Sequence, residues 1–260
     1  MTDAVGVAPT IQGEDLRELI GLLEGADTVE LKLTVPDAGH RSAVVALEMD
    51  PLEAQLRQVF FFDTKDLLLN QHGVIARARR IQGRDGDSVV KLRPVVPGEL
   101  PSGLRKLAGF GVEVDALPGG FVCSGRLKEP VPAAKVKDVV GGKRPVRSLF
   151  TKQQRAFFAE HAPEGVGFDD LSIMGPITVL KLKFAPTGYG RRLVAELWNY
   201  PDGSRILELS TKCMPTEAFD VAAKTKGFLE GRGISLSGEQ QTKTKTALEF
   251  FSQEAADTAE

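Results

Sequence analysis

Cysteine and histidine are scarce in this chain of 260 residues, which contains two cysteines and three histidines. Cys123 and Cys213 lie far apart in the sequence, outside any metal-binding or redox spacing. This scarcity argues against a disulfide scaffold, a zinc site and a Ser/His nucleophile pair. It favours a reducing compartment, so the expected location is cytoplasmic, and we expect both cysteines to be small buried hydrophobic residues.

An excess of charge of one sign and a long apolar run are also missing. The formal net charge is −2, so no global basic field points to nucleic acid. No stretch approaches the roughly 18 apolar residues of a membrane span, and residues 1–10 lack a signal pattern. We therefore expect no nucleic-acid partner and no membrane partner.

The chain is rich in short runs in which charged residues alternate with apolar ones. A strand places residues i and i+2 on one face, so these runs predict a sheet with one apolar face and one face crowded with cations and a few carboxylates. If the sheet closes, the charges line a tunnel. The runs are residues 29–33, 77–79, 91–93, 181–183, 193–197 and 207–209.

The order of predicted elements favours an α+β fold with a mostly antiparallel sheet. Residues 1–26 are interpreted as a tail and short helix, 27–251 as one tunnel domain, and 252–260 as a C-terminal tail. Hairpin turns are predicted at 84–87 and at 201–203, where Asp-Gly signals separate strand-like runs. The Pro- and Gly-rich segment 95–145 is interpreted as a loop-helix insertion, and 147–160 as extended.

The charged faces have a simple alternative explanation, which is ordinary solvation of an antiparallel sheet. However, the pairs at 77/79, 91/93 and 181/183 are each like-charged, and like charges on neighbouring strands destabilise a sheet by roughly a few tenths of a kcal/mol per pair. A bound polyanion would remove that penalty. Arginine suits bidentate phosphate contacts and lysine suits point-charge contacts, so this mixed set can surround a triphosphate.

Five motifs follow one another in the first half of the chain. They are Glu30 with Lys32, then 61–64 (Phe-Phe-Asp-Thr), 66–69 (Asp-Leu-Leu-Leu), 77–79 (Arg-Ala-Arg) and 91–94 (Lys-Leu-Arg-Pro). This order resembles the CYTH or triphosphate tunnel metalloenzyme superfamily. The resemblance extends over about 27–250 through Arg126, Arg155, Glu196, Glu208 and a Thr-Lys pair at 242–243 or 244–245, where the family has Ser-Lys.

The resemblance implies an antiparallel eight-stranded tunnel-like β-barrel with helices packed outside. It also implies a metal-dependent hydrolase of inorganic triphosphate or a related triphosphate, with triphosphate, polyphosphate or a nucleoside triphosphate as partner. Glu30 and Lys32 are the expected catalytic residues, and Glu30, Glu196 and Glu208 the expected ligands of Mg²⁺ or Mn²⁺. Arg192 and Lys212 are further candidates beside the expected phosphate-binding set, which is Arg77, Arg79, Lys91, Arg93, Arg126, Arg155, Lys181, Lys183, Lys243 and Lys245.

Two positions depart from the family pattern. Thr28 stands where the first Glu of Glu-x-Glu-x-Lys is expected, and Ser210 stands where a late strand often has a second Glu. Both changes remove carboxylates that the resemblance associates with metal and with the attacking water, so phosphate binding is better supported than turnover. A class IV-like adenylate cyclase and a non-catalytic polyphosphate- or nucleotide-binding module remain open as alternatives.

Overall fold

Nine strands close into a barrel in this computed structural model, which describes residues 13–235 and 243–257. The strands are β1 (Thr28–Val35), β2 (Gln55–Asp63), β3 (Val74–Ile81), β4 (Arg84–Leu92), β5 (Phe110–Leu117), β6 (Gly120–Val131), β7 (Ser172–Phe184), β8 (Leu193–Asn199) and β9 (Arg205–Cys213). Around the barrel they follow the order β1-β5-β6-β4-β3-β2-β7-β8-β9, and β9 pairs with β1.

The α+β class and the closed barrel are confirmed, but the strand number and the direction of one pair are not. The resemblance implies eight antiparallel strands, whereas β1 and β5 are parallel, with Thr28 beside Glu113 and Glu30 beside Asp115. The other strand pairs are antiparallel. The barrel is therefore mixed, and β5 brings two inward carboxylates next to β1.

The segment 95–145 is part of the barrel, which corrects its interpretation as a loop-helix insertion. It contains β5, β6 and the helix α4 (Ala133–Val140). Most of its glycines and prolines lie in the turns before β5, in the tight turn at Gly119, where φ is +89°, and after α4. A positive φ is accessible to glycine at little cost. These glycines and prolines thus mark the ends of two regular strands.

The segment 147–160, predicted to be extended, instead forms a short turn and the helix α5 (Lys152–His161). The Thr151 hydroxyl accepts a hydrogen bond from the Gln154 backbone N–H, while the Gln154 side chain accepts one from the Thr151 N–H. This capping box fixes the start of the helix. Phe157 and Phe158 are buried against the barrel.

Both predicted hairpins are present, with one turn displaced. β3 and β4 are joined at residues 82–83, where Gly83 has φ +76°, and not at 84–87. The displacement places Asp87 within β4, opposite Arg79. The turn between β8 and β9 lies at 201–203 as predicted.

Apolar side chains on the outer face of the barrel pack against the helices. The remaining helices are α1 (Gly13–Glu24), α2 (His40–Ala46), α3 (Leu68–Gln71), α6 (Ala218–Gly231) and α7 (Lys243–Asp257). Val29 and Leu33 face outward into this core, whereas Glu30 and Lys32 face the cavity, as the alternation predicts.

Cys123 and Cys213 are free and buried, which confirms their expected role. α7 continues past residue 251, where the sequence suggests a tail. None of the helices in the described ranges is both long and apolar enough to cross a membrane.

Candidate functional site: a cationic barrel cavity

The barrel encloses a cavity of about 320 Å³ whose described lining contains thirteen lysines and arginines against six carboxylates. The cations are Lys32, Arg57, Arg77, Arg79, Arg84, Lys91, Arg93, Arg126, Lys128, Lys181, Lys183, Lys212 and Lys243. The carboxylates are Glu30, Asp87, Glu113, Asp115, Glu196 and Glu208. Their inward direction follows from the strand period of two, because apolar neighbours occupy the outer face.

Asp115 is the most enclosed carboxylate of the cavity, with 1% of its side chain exposed. Its Oδ1 lies 2.8 Å from Lys32 Nζ, and its Oδ2 lies 3.7 Å from Lys91 Nζ and 3.5 Å from Arg93 Nη2. Burial opposes the charged form, but these three cations outweigh it and hold the pKa of Asp115 well below its usual range. The carboxylate is therefore ionised, with three cations around it.

Lys32 and Lys91 respond differently to the same carboxylate. Burial alone would lower both pKa values. At the short Lys32 contact, Asp115 and Glu30 overcome burial and raise the pKa of Lys32. At the longer Lys91 contact burial prevails, with Lys32 and Arg93 adding repulsion, and the pKa of Lys91 falls to about 8.

Glu30 and Glu113 share the ammonium of Lys212. Lys212 Nζ lies 3.7 Å from Glu30 Oε2 and forms a close ion pair with Glu113, whose Oε2 is also 3.5 Å from Arg126 Nε. Ser210 donates its hydroxyl to Glu30 Oε1 at 3.0 Å. Burial would raise the pKa of Glu30, but Lys32 and Lys212 lower it to about 2.

Lys243, the first residue of α7, joins the carboxylates of two neighbouring strands. Its Nζ lies 2.5 Å from Glu196 Oε2 and 2.7 Å from Glu208 Oε1. Glu196 also accepts hydrogen bonds from Lys181 Nζ at 2.6 Å and from Trp198 Nε1–H at 3.2 Å. Burial disfavours charge on Glu196, yet Lys243 and Lys181 hold its pKa well below the usual value. The Trp198 ring lines the cavity and is covered by the Lys243 ammonium, 5.0 Å from its centroid.

Asp87 and Arg79 form a bidentate ion pair between β4 and β3. Arg79 Nε and Nη2 donate to the two carboxylate oxygens at 2.8 and 2.7 Å, and Lys128 Nζ lies 3.4 Å away. Burial opposes ionisation, but Arg79 outweighs it and the pKa of Asp87 falls to about 2. This pair fixes the Arg79 guanidinium across the hairpin.

Arg77 lines the same wall but has no carboxylate within ion-pair distance among the described residues. Its Nε is buried without a hydrogen-bond partner. Burial, with repulsion from Arg79, lowers the pKa of Arg77 to about 10, although the more distant Asp87 and Glu196 act in the opposite direction. Arg57 has a similar buried and unpartnered Nε. The cavity thus holds guanidinium groups whose charge the protein does not neutralise.

The structure brings most of the predicted binding residues to this cavity. Arg77, Arg79, Lys91, Arg93, Arg126, Lys181, Lys183 and Lys243 all line it, together with Lys32 and Glu30. Arg155 does not, because its segment forms α5 outside the barrel, where its Nη1 donates to Phe150 O at 2.8 Å. Lys245 lies in α7, and its side chain is outside the described part of the chain. Arg192 stands just before β8, away from the described lining.

Several residues of the cavity lining were not predicted from the sequence, although the alternation of charged and apolar residues indicates some of them. Glu113 and Asp115 alternate with Val112 and Val114, which is the pattern that identifies the other inward strands. The surrounding glycines and prolines conceal it. Asp87 is concealed by the assignment of 84–87 to a turn. Arg57, Arg84 and Lys128 lie in runs with weaker alternation.

The expected metal ligands Glu30, Glu196 and Glu208 do not form one group. Glu30 pairs with Lys212 on β9, and Glu208 lies four residues earlier on that strand, about 13 Å away along it. Among the described residues, the one group of three carboxylates whose oxygens all lie within 4.8 Å of one another is Glu30, Glu113 and Asp115. Each of these already contacts at least two cations. A divalent ion at these three residues would have to compete with those cations for the same oxygens.

Comparison with known proteins gives a likeness in fold. No family model matches the chain, and no curated protein matches its sequence. A candidate adenylate cyclase from Bacillus halodurans superposes with a TM-score of 0.58 at 11% identity, covering 84% of this chain and 98% of the other. The Hippeastrum protein HpAC1, a candidate adenylyl cyclase described as having a dominant triphosphatase activity, gives 0.59 at 19% identity, covering 82% and 91%. These proteins have the CYTH-type tunnel fold that the order of motifs predicts, and at such identities the likeness is one of fold.

Proposed function

We propose that the barrel cavity binds a linear triphosphate and that hydrolysis of inorganic triphosphate or a related triphosphate is the activity it supports best. The observation that carries the proposal is Arg77, a guanidinium directed into the cavity with a buried Nε that has no partner. A charge in this position is costly unless an anion completes it. Phosphate oxygens supply both the charge and the acceptors.

The arrangement of the other cations supports a chain of phosphates rather than a single one. Arg77 and Arg79 lie on one wall, and Lys181 and Lys183 on β7 belong to the same enclosure. Cations from several strands can therefore contact successive phosphoryl groups. Hydrolysis of a phosphoanhydride depends chiefly on positioning and on stabilising charge that develops on the phosphoryl oxygens. The triphosphatase activity described for HpAC1 agrees with this assignment.

A nucleotide cyclase is less well supported by the cavity. A cyclase must hold a base and a ribose as well as the phosphates. Trp198 is the aromatic side chain among the described lining residues, and the Lys243 ammonium already covers its ring. A base stacking on this ring would have to compete with that ammonium. A binding module without turnover is the second candidate, favoured by Thr28 and Ser210 at the positions where the resemblance calls for carboxylates.

One pair of measurements separates these possibilities. Calorimetric titration at low salt with triphosphate, pyrophosphate and sulfate should show affinity increasing with the number of phosphates, because more cations are engaged. Phosphate release from triphosphate, ATP and long-chain polyphosphate then ranks substrates. Binding of triphosphate without phosphate release identifies the module. Absence of binding to all three anions refutes the proposal.

A further inference from the structure

All six carboxylates of the described cavity lining are already paired with cations. Glu30, Asp87, Glu113, Asp115, Glu196 and Glu208 each have at least one lysine or arginine nitrogen within 4.0 Å. The pairing leaves no carboxylate here that requires a metal ion for neutralisation. It also leaves an excess of cations, since thirteen line the same cavity.

Three of these cations bridge two carboxylates each. Lys32 Nζ lies 3.5 Å from Glu30 and 2.8 Å from Asp115, and Lys243 Nζ lies 2.5 Å from Glu196 and 2.7 Å from Glu208. Lys212 Nζ bridges Glu30 and Glu113. A cation held between two carboxylates is the position that a divalent ion takes in an acidic site. Here an ammonium group fills it.

A divalent ion would have to displace an ammonium to reach these oxygens. The displaced lysine would stay in the enclosure, because its strand or helix holds it there, and two further charges would be added to a cavity with an excess of cations. Ser210 donates a neutral hydroxyl to Glu30 Oε1 at 3.0 Å, so it adds no negative charge that would attract a divalent ion. A divalent ion would therefore compete with ammonium groups that already hold these oxygens.

We propose that the lysine ammonium groups take the place of divalent ions in this cavity, so that it binds triphosphate without metal. The inference rests on the proposed function, because it concerns how the same site holds the same anion. Lysine and arginine contact the phosphate oxygens directly. The carboxylates position those cations and do not ligate Mg²⁺ or Mn²⁺.

The first test compares triphosphate binding in EDTA with binding in Mg²⁺ or Mn²⁺ at the same ionic strength, using the full chain. We expect dissociation constants that agree within about threefold. Binding that requires a divalent ion overturns the inference and leaves the proposed function standing. Absence of binding under both conditions refutes the proposed function, and the inference with it.

The second test asks whether the ammonium groups exclude metal. Wild type should not bind Mn²⁺ at millimolar concentration in a calorimetric or electron paramagnetic resonance titration. Lys243→Gln exposes the Glu196 and Glu208 pair, and we expect it to gain Mn²⁺ binding. Lys183→Gln is the matched control, because it removes one positive charge from the lining without uncovering a carboxylate pair.

A second variant keeps the test decisive if Lys243→Gln does not fold. Lys212 has 49% of its side chain exposed, so Lys212→Gln should be tolerated while uncovering Glu30 and Glu113. Gain of Mn²⁺ binding in either variant but not in Lys183→Gln supports the inference. Tight Mn²⁺ binding by wild type, or an equal gain in Lys183→Gln, contradicts it.

Discussion

Glu196 and Glu208 lie directly opposite each other on β8 and β9, and the ammonium of Lys243 lies between their carboxylates. Like charges in opposite positions destabilise a sheet, so this pair depends on the cation. Lys243 is the first residue of α7, whose Ala247 and Leu248 are buried against the barrel. One side chain therefore joins a terminal helix to the charged interior.

Replacement of Lys243 by methionine should destabilise the protein by about 3–5 kcal/mol, because it leaves two buried carboxylates facing each other. Guanidinium denaturation measures this loss. Adding Glu208→Gln should recover part of it, since Glu208 is the carboxylate that loses its cation, whereas Glu196 keeps Lys181. A Lys243→Met variant as stable as wild type would show that the ion pairs contribute nothing to the fold.

Arg77 should behave in the opposite way, because the apo protein does not neutralise its charge. Arg77→Met should leave the free energy of unfolding unchanged or raise it, and should weaken triphosphate binding by about 10- to 100-fold, as expected for loss of charged hydrogen bonds. Calorimetric titration and denaturation on the same sample test both expectations. A large loss of stability with unchanged affinity would make Arg77 a structural residue.

Arg80→Met is the matched control for that experiment. Arg80 follows Arg79 on β3 but lies exposed on the outer face, where its Nη1 donates to Gln58 Oε1 at 3.0 Å. The Arg80→Met variant loses the same charge from the same strand without a change in the cavity. Its triphosphate affinity, measured at the same ionic strength, should equal that of wild type.

The inward residues of most strands could be predicted because strand alternation is a local property. Lys32, Arg77, Lys91 and Lys181 are placed by their apolar neighbours alone, and the structure puts all four in the cavity. Strand order is not local. The parallel pairing of β1 with β5 joins residues 85 positions apart, Thr28 and Glu113, and no short-range signal indicates it.

The carboxylate partner of each cation could not be predicted from the sequence either, because these pairs also form between strands that are distant in the chain. Asp115 acquires its role from Lys32 on β1, Lys91 on β4 and Arg93 just after β4. Lys243 can be recognised as a candidate cation from its motif, but its position between Glu196 and Glu208 depends on how α7 packs. A list of charges therefore predicts an anion site, but it does not show which cation each carboxylate holds.

Gln154 should be essential for attaching α5 to the barrel. Its side chain is fully buried, donates to the carbonyl oxygens of Ser88 and Leu127 at 3.0 and 3.1 Å, and accepts from the Ser88 hydroxyl at 3.0 Å. Gln154→Ala leaves these buried groups unpaired, so we expect a loss of about 2–4 kcal/mol in the free energy of unfolding. Gln154→Glu should also destabilise, since it buries a charge. Triphosphate affinity per folded molecule should not change, and a mild effect of both variants would refute this role.

Lys91 should make triphosphate binding depend on pH. Burial lowers its pKa to about 8, against 10.5 for an unperturbed lysine, while Asp115 only partly offsets the shift. Between these two pH values the unfolded chain binds more protons than the folded one. The stability of the free protein should therefore rise with pH across this window.

Triphosphate affinity should move the other way, because the anion prefers the charged ammonium of Lys91. If binding requires that charge, affinity should fall by about tenfold between pH 7 and pH 9. Lys91→Arg keeps a positive charge throughout this range, and the ratio of wild-type to Lys91→Arg affinity cancels the titration of triphosphate itself. A ratio that stays constant from pH 7 to pH 9 would show that Lys91 either keeps its proton or does not contact the anion, whereas a falling ratio assigns the pH dependence to this lysine.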